Sequence, residues 1–346
     1  MPPGPYPTGT TINDRYVFSR KLGSDGHVYE AHDRHLDRQV AVKLLHPVGG
    51  TAQAWDEAQR LERLRSRFLV DVINADVVHN SDIRYIVTPL LSSGDLEAAA
   101  RDTGLGIRDA VRYMQHICGG IDRIHADGML HRDIKPGNAL RGQDGVFVSD
   151  LEYCAIFGAD GRAAPNGSWC TVAPEAAADG GYCSIRSDVY SLGATAMYLL
   201  SGEYPVDHRM PRSDQRDRIA NGDIRELRVV APHVSQAIGT VVRKALNHDP
   251  STRFESAESF SNALANAART SRDWRRVLHA GHLHCLECPR SAHRGALAVC
   301  SEQVGDGIRL TAVTLPSRRR VSGVQDVVVS QRRLAQSLQR LVKAIS

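Results

Sequence analysis

The 346-residue chain predicts an α+β fold of two lobes, a small β-rich one and a larger helical one, followed by a small basic α+β domain. Three observations lead there. Short β-branched and aromatic runs between turn residues fill positions 14–88, apolar residues at helical spacing fill 95–268, and positions 269–346 carry 14 Lys and Arg against 5 Asp and Glu. With 42% hydrophobic and 24% charged residues, the composition suits a folded protein with a sizeable core rather than a disordered or fibrous one. Seven cysteines, an odd number spread from Cys118 to Cys300, do not make a disulfide framework, and the start Met1-Pro2-Pro3-Gly4-Pro5 has no apolar leader. A cytoplasmic, reducing setting is the expectation. The most apolar stretch, 192–200, is too short to span a membrane.

Taken in order, residues 1–13 are rich in Pro, Gly and Thr and are expected to be disordered. The N-terminal lobe, 14–88, reads as strands at 16–21, 28–31, 40–44, 70–78 and 85–88 around one amphipathic helix at 54–67. A hinge at 89–94 leads to the C-terminal lobe, 95–268, with helices at 107–125, 188–200 and 235–246 and short strands around Ala139 and Val146. In the accessory domain, 269–346, strands at 295–300 and 308–315 flank a Gly305-Asp306-Gly307 turn. A helix is expected over 327–345, with Leu334, Leu338, Leu341 and Ile345 on one stripe.

The residues that point most directly to chemistry are Asp133, Lys135 and Asn138, in the run His131-Arg132-Asp133-Ile134-Lys135-Pro136-Gly137-Asn138, and Asp150, twelve residues after Asn138. Transfer of a phosphoryl group from a nucleotide needs a carboxylate to orient the incoming hydroxyl, a cation on the moving group, and oxygen ligands for magnesium. Asp133 and Lys135 fit the first two roles, and Asn138 and Asp150 the metal positions.

With these motifs, residues 14–268 resemble the eukaryotic-like (Hanks-type) protein kinase family. The resemblance implies the bilobal protein-kinase-like fold, ATP with Mg2+, and a protein substrate phosphorylated on Ser or Thr. Val40-Ala41-Val42-Lys43 resembles the family's third strand, which would set Lys43 on the α- and β-phosphates. Its partner by helical register is Glu57, on one stripe with Leu61, Leu64 and Phe68. Residues 85–91 resemble the hinge: Thr88 would be the gatekeeper, Pro89 would offer its carbonyl and Leu91 its N–H to the adenine. Val28, Ala41 and Leu140 would enclose the ring, and Asp95 would reach the ribose. Lys135, two residues after the Asp, is the family's serine/threonine form. The run from Gly167 to Glu175 resembles the G-T-x-x-Y-x-A-P-E segment, which implies a Glu175–Arg253 pair and a bracing role for Asp188.

Three departures stand out. The glycine-rich loop at 22–29, with Gly23 and Gly26, is two residues shorter than G-x-G-x-x-G-x-V, and Asp25 within it would repel phosphate. The usual Asp-Phe-Gly is Asp150-Leu151-Glu152; Leu151 can stack on His131 and Leu61, whereas Glu152 removes glycine's freedom at a switching position. Between Tyr153 and Gly167 there is no Ser or Thr, so Arg132, which resembles the family's phosphate-receiving arginine, has no acceptor there to read.

In the tail, His282 and His284 precede Cys285, Cys288, His293 and Cys300, and the last four make a candidate structural Zn2+ set near a zinc-knuckle spacing without matching it. The basic excess suits an acidic partner or nucleic acid, or a domain docked by its apolar stripe. Trp274 is the only aromatic residue there, so no platform exists for stacking single-stranded bases. Three functions follow as expectations: a serine/threonine protein kinase; a pseudokinase scaffold or nucleotide-binding regulatory module, favoured by the short loop and Glu152; and a polyanion-binding adaptor, resting on the tail alone. The joint presence of Lys43, Glu57, Asp133, Lys135, Asn138 and Asp150 favours the first.

Overall fold

The computed structural model describes residues 6–23, 27–45, 56–291 and 294–346, with the side chains of residues 56–58 and 61 outside that description. In the N-terminal lobe, strands β1 (Thr11–Ile12), β2 (Tyr16–Leu22), β3 (Val28–Asp33), β4 (Arg38–Leu45), β5 (Asn74–Val77) and β6 (Arg84–Pro89) form one antiparallel sheet in the order β1-β2-β3-β4-β6-β5. Alternation along the strands buries Phe18, Tyr29, Val40, Val42, Leu44, Tyr85 and Val87 in one cluster. The other face of β3, β4 and β6 is left for Val28, Ala41, Lys43 and Thr88, with Val28 opposite Lys43 and Ala41 opposite Thr88.

Three expectations need correction here. Residues 6–13 are ordered rather than disordered: Ile12 is buried, β1 pairs with β2, and the Tyr6 backbone N–H donates to the Tyr29 hydroxyl at 3.1 Å. The strand expected over 70–78 is confined to 74–77, because the backbone just before it turns to the other lobe, where the Val70 N–H donates to the Val148 carbonyl at 3.0 Å. Helix α1 (Asp56–Leu64) stops short of Arg67, and Phe68 packs against His116 instead of continuing the helical stripe.

The C-terminal lobe contains α2 (Leu96–Ala100), α3 (Ile107–Ala126), β7 (Met129–Leu130), β8 (Ala139–Gly142), β9 (Gly145–Val148), β10 (Ala155–Ile156), α4 (Pro174–Ala177), α5 (Ile185–Ser201), α6 (Arg212–Ala220), α7 (Leu227–Val230), α8 (Gln236–Ala245) and α9 (Ala257–Ala268). Helix α5 is buried along nearly its whole length, as expected of a helix apolar on every side. Its 192–200 stretch is therefore core, and among the described residues no helix is long and apolar enough to cross a membrane.

The accessory domain is a five-stranded antiparallel sheet in chain order: β11 (Arg275–Val277), β12 (His284–Cys288), β13 (Leu297–Val304), β14 (Gly307–Thr314) and β15 (Val327–Val329), with α10 (Leu334–Ile345) against it. Residues 327–329 are strand, not the helix expected over 327–345. Three consecutive valines favour the extended backbone, and Val327 and Val329 pair with Leu310 and Ile308. The α10 stripe buries Leu334, Leu338 and Val342, while Leu341 and Ile345 lie at its margin. The domain docks on the C-terminal lobe: Trp274 is buried in the shared core, the Gln339 side chain donates to the Arg228 carbonyl at 2.6 Å, and Arg276 reaches the Asp102 carbonyl. Part of its positive charge is spent internally, since Arg272 donates to the Ile345 and Gly295 carbonyls and Arg294 to that of Ser346.

Candidate active site

The loop between β7 and β8 is fixed from below by Asp188, near the start of α5. Its Oδ2 accepts from the His131 N–H at 2.9 Å and contacts His125 Nε2 at 2.8 Å, and its Oδ1 accepts from the Arg132 N–H at 3.0 Å. These contacts hold Arg132 at φ 66, a left-handed conformation that a non-glycine residue adopts only when its surroundings enforce it. Burial alone would raise the Asp188 pKa, yet its hydrogen bonds, His125 foremost, hold it below the usual carboxylate range.

Above that brace, the side chains of Asp133, Lys135 and Asn138 converge. Asp133 is 4% exposed; its Oδ2 accepts from Lys135 Nζ at 2.8 Å and from Asn138 Nδ2 at 3.1 Å. The Ser168 hydroxyl completes the cluster, donating to Asp133 Oδ1 at 2.6 Å and accepting from Lys135 Nζ at 3.0 Å. Burial pushes the Asp133 pKa up, but Lys135 and then Ser168 push it further down, so it stays ionised at neutral pH. For Lys135 the same contact works the other way: burial lowers its pKa, and Asp133 more than offsets this. The result is a carboxylate and an ammonium holding one hydroxyl between them.

Asp150 is delivered by β9 and has φ 62. The preceding residue ties it to the catalytic loop, because Ser149 donates to the Asn138 carbonyl through its N–H at 2.9 Å and its hydroxyl at 3.2 Å. Asn138 spends its amide nitrogen on Asp133, which leaves its side-chain oxygen as its remaining ligand atom, and Asp150 offers a carboxylate. Oxygen ligands of this kind fit Mg2+. Lys43 Nζ is 2.8 Å from Asp150 Oδ1 and 3.1 Å from Glu152 Oε2. Glu152 has no left-handed backbone here, whereas Asp150 does, so the residue in the glycine position is unstrained in this state.

On the sheet side, Val28, Ala41, Lys43 and Thr88 share the face described above. Leu140 lies on β8 opposite Phe147 and bridges to Asp95. Asp95 has a local task as well: its Oδ1 accepts from the Ala98 N–H at 2.7 Å and caps α2. Pro89 is the last residue of β6, and Leu91 lies two residues beyond it. Gly23 sits at φ 70, which favours glycine, while Gly26 and Asp25 lie outside the described residues. The side chains of Glu57 and Leu61 lie outside them too.

The ion pair implied by the resemblance is present. Arg253, fully buried, makes a bidentate pair with Glu175 at 2.7 and 2.8 Å. Leu151 is fully buried. One contact has no motif to announce it: Arg60, on α1, donates to the carbonyls of Leu151 and Glu152, both at 3.2 Å.

The candidate zinc set is not assembled as expected. Cys285 pairs directly with Cys300, but Cys288, three residues on along β12, points to the opposite face and into the core with Leu286 and Val299. His293 lies outside the described residues.

Comparison with known proteins agrees with this geometry. The protein kinase domain family matches residues 16–264. The chain is 29% identical over 271 residues to the serine/threonine-protein kinase PrkC of Bacillus subtilis, covering 75% of this chain and 41% of that protein. It is 28% identical to PksC of Streptomyces coelicolor over 77% of this chain and 51% of the relative, and 30% identical to PknA of Mycobacterium tuberculosis over 76% and 63%. The chain thus spans about half the length of the curated relatives it matches. With a protein kinase domain matched over most of its length and a catalytic loop braced in that family's manner, the chain belongs to the protein kinase family.

Proposed function

We propose that this chain is an ATP- and Mg2+-dependent serine/threonine protein kinase that transfers the γ-phosphoryl group to a protein hydroxyl. The observation that supports it most is the Ser168 hydroxyl, held at 2.6 Å by Asp133 and 3.0 Å by Lys135. A site that already holds one aliphatic hydroxyl between a carboxylate and an ammonium is built to orient another. Asp133 accepts the hydrogen bond of the incoming hydroxyl and points its oxygen at the phosphorus; Lys135 offsets the negative charge of the group in transit. Asn138 and Asp150 would hold magnesium, which would supply further charge neutralisation on the phosphate oxygens. Lys43 releases its carboxylate partners to meet the nucleotide phosphates. The test is turnover of radiolabelled ATP with magnesium on a generic acceptor protein, followed by phosphoamino-acid analysis. Label on Ser or Thr is expected; label on Tyr alone, or none, overturns the reading.

The activation segment supports a constitutive enzyme. Arg132 donates from Nε to the Tyr153 carbonyl at 2.7 Å and from a terminal nitrogen to the Ala164 carbonyl at 2.8 Å. The guanidinium thus pins both ends of the segment through the main chain, where a phosphate would otherwise serve. Phosphatase treatment is expected to leave the initial rate unchanged. Loss of activity, restored by a phosphate mapped within 153–167, would contradict this.

A further inference from the structure

We propose that the accessory domain holds a structural zinc ion on His279, His282, Cys285 and Cys300. The potential ligand atoms of these four side chains all lie within 4.8 Å of one another. Two loop histidines and two thiols on neighbouring strands make an N2S2 set, the donor chemistry of closed tetrahedral zinc sites. Such a site draws its ligand atoms to about 3.3–3.8 Å apart, so loading requires a contraction of about 1 Å.

The arrangement around the four is what distinguishes it from chance proximity. Cys285 and Cys300 are direct cross-strand partners, so both thiols share one face of the sheet, opposite the face that carries the apolar core. Glu287 and Glu302 follow them by two residues and so occupy that same face. Each carboxylate takes one histidine: Glu287 Oε1 is 3.5 Å from His279 Nε2, and Glu302 Oε1 is 3.1 Å from His282 Nε2. That leaves both Nδ1 atoms turned inward. His282 Nδ1 is 3.0 Å from Cys285 Sγ, and His279 Nδ1 is buried without a hydrogen bond. A carboxylate on the outer nitrogen and a ligand position on the inner one is the usual support of a zinc-bound histidine. The spacing H-x2-H-x2-C-x14-C ties the loop between β11 and β12 to β13, and so stitches the sheet edge that leads into the docked Trp274 segment. Cys288 has no part in this set, and the inference stands independently of the kinase reading.

The test is metal analysis of the full-length chain, purified without a chelating affinity step, by inductively coupled plasma mass spectrometry. One equivalent of zinc is expected, retained in Cys288→Ser and lost in Cys285→Ser and in His279→Ala with His282→Ala. On wild type alone, replacement by cobalt(II) is expected to give the visible bands of a tetrahedral ion with thiolate charge transfer, a readout that does not depend on any variant folding. Metal-free protein with both thiols titratable, a Cys285–Cys300 disulfide found by mass, zinc lost equally in Cys288→Ser, or a six-coordinate cobalt spectrum would each overturn the proposal.

Discussion

Glu152 meets the ammonium expected to receive the nucleotide phosphates. It stands where the family has glycine, and its carboxylate lies 3.1 Å from Lys43, competing with Asp150 and with any incoming phosphate for that ammonium. Half of the Glu152 side chain is exposed, so the competition is worth no more than a surface ion pair. Glu152→Gln, which keeps the shape and removes the charge, is expected to tighten ATP binding by up to about fivefold with little change in turnover; calorimetric titration of both proteins with ATP checks this, and equal or weaker affinity in the variant would sink the idea. The sequence exposed the substitution but not its partner. Positions 43 and 152 are distant in the chain, and only the approach of β4 to the end of β9 brings them together. Ser168 and Arg60 were hidden for a similar reason: each acts through a contact with a loop far away in sequence.

At the scale of the element, helix α3 shows how the accessory domain is wired into the kinase lobe. Its N-cap is Gly106, which has no side chain to cap with, and the Arg108 N–H is instead taken by Asp273 Oδ1 at 2.9 Å. A residue from the segment entering the accessory domain thus supplies the cap of a lobe helix, and the Trp274 carbonyl accepts from the Ile107 N–H beside it. Asp273→Ala is expected to destabilise the chain by about 1 kcal/mol, the usual worth of a helix cap. Denaturant midpoints of the two proteins measure it; an unchanged midpoint would show that Asp273 does not act as a cap. Periodicity located α3, α5 and α8 well, because each buries one long stripe or is buried throughout. It failed at 327–329, where apolar residues in a strand and in the helix after it form one continuous run, and at 70–73, where the backbone bonds to the other lobe.

For the molecule as a whole, the contact between lobe and accessory domain carries a pH dependence. His233 is 3% exposed, neither ring nitrogen has a hydrogen-bond partner, and burial, followed by the nearby Arg276 charge, pushes its pKa from 6.5 to about 4. A histidine whose pKa is lower folded than unfolded favours the folded state fully above the unfolded value, and that contribution is lost as pH falls from about 6.5 toward 4. Asp133 and Asp188, both held below the usual carboxylate range, lose their contributions at lower pH still. The melting temperature is therefore expected to fall across this window in wild type, and more shallowly in His233→Leu; identical slopes would remove His233 as the cause. The two-lobed architecture was legible because its motifs are local in sequence. The docking of the accessory domain was not, since Asp273, Trp274, Arg276 and Gln339 each meet a partner that only tertiary structure supplies.

As proposed above, Asp133 and Asp150 drive phosphoryl transfer in a competent site despite Glu152. Radiolabelled ATP with magnesium, supplied to wild type, Asp133→Asn and Asp150→Asn while nucleotide affinity is measured in parallel, tests it most directly. Wild type is expected to place label on Ser or Thr, both variants to lose at least about 100-fold, and Asp133→Asn to retain nucleotide binding. Nucleotide bound by wild type with no label transferred would contradict it and make the chain a scaffold.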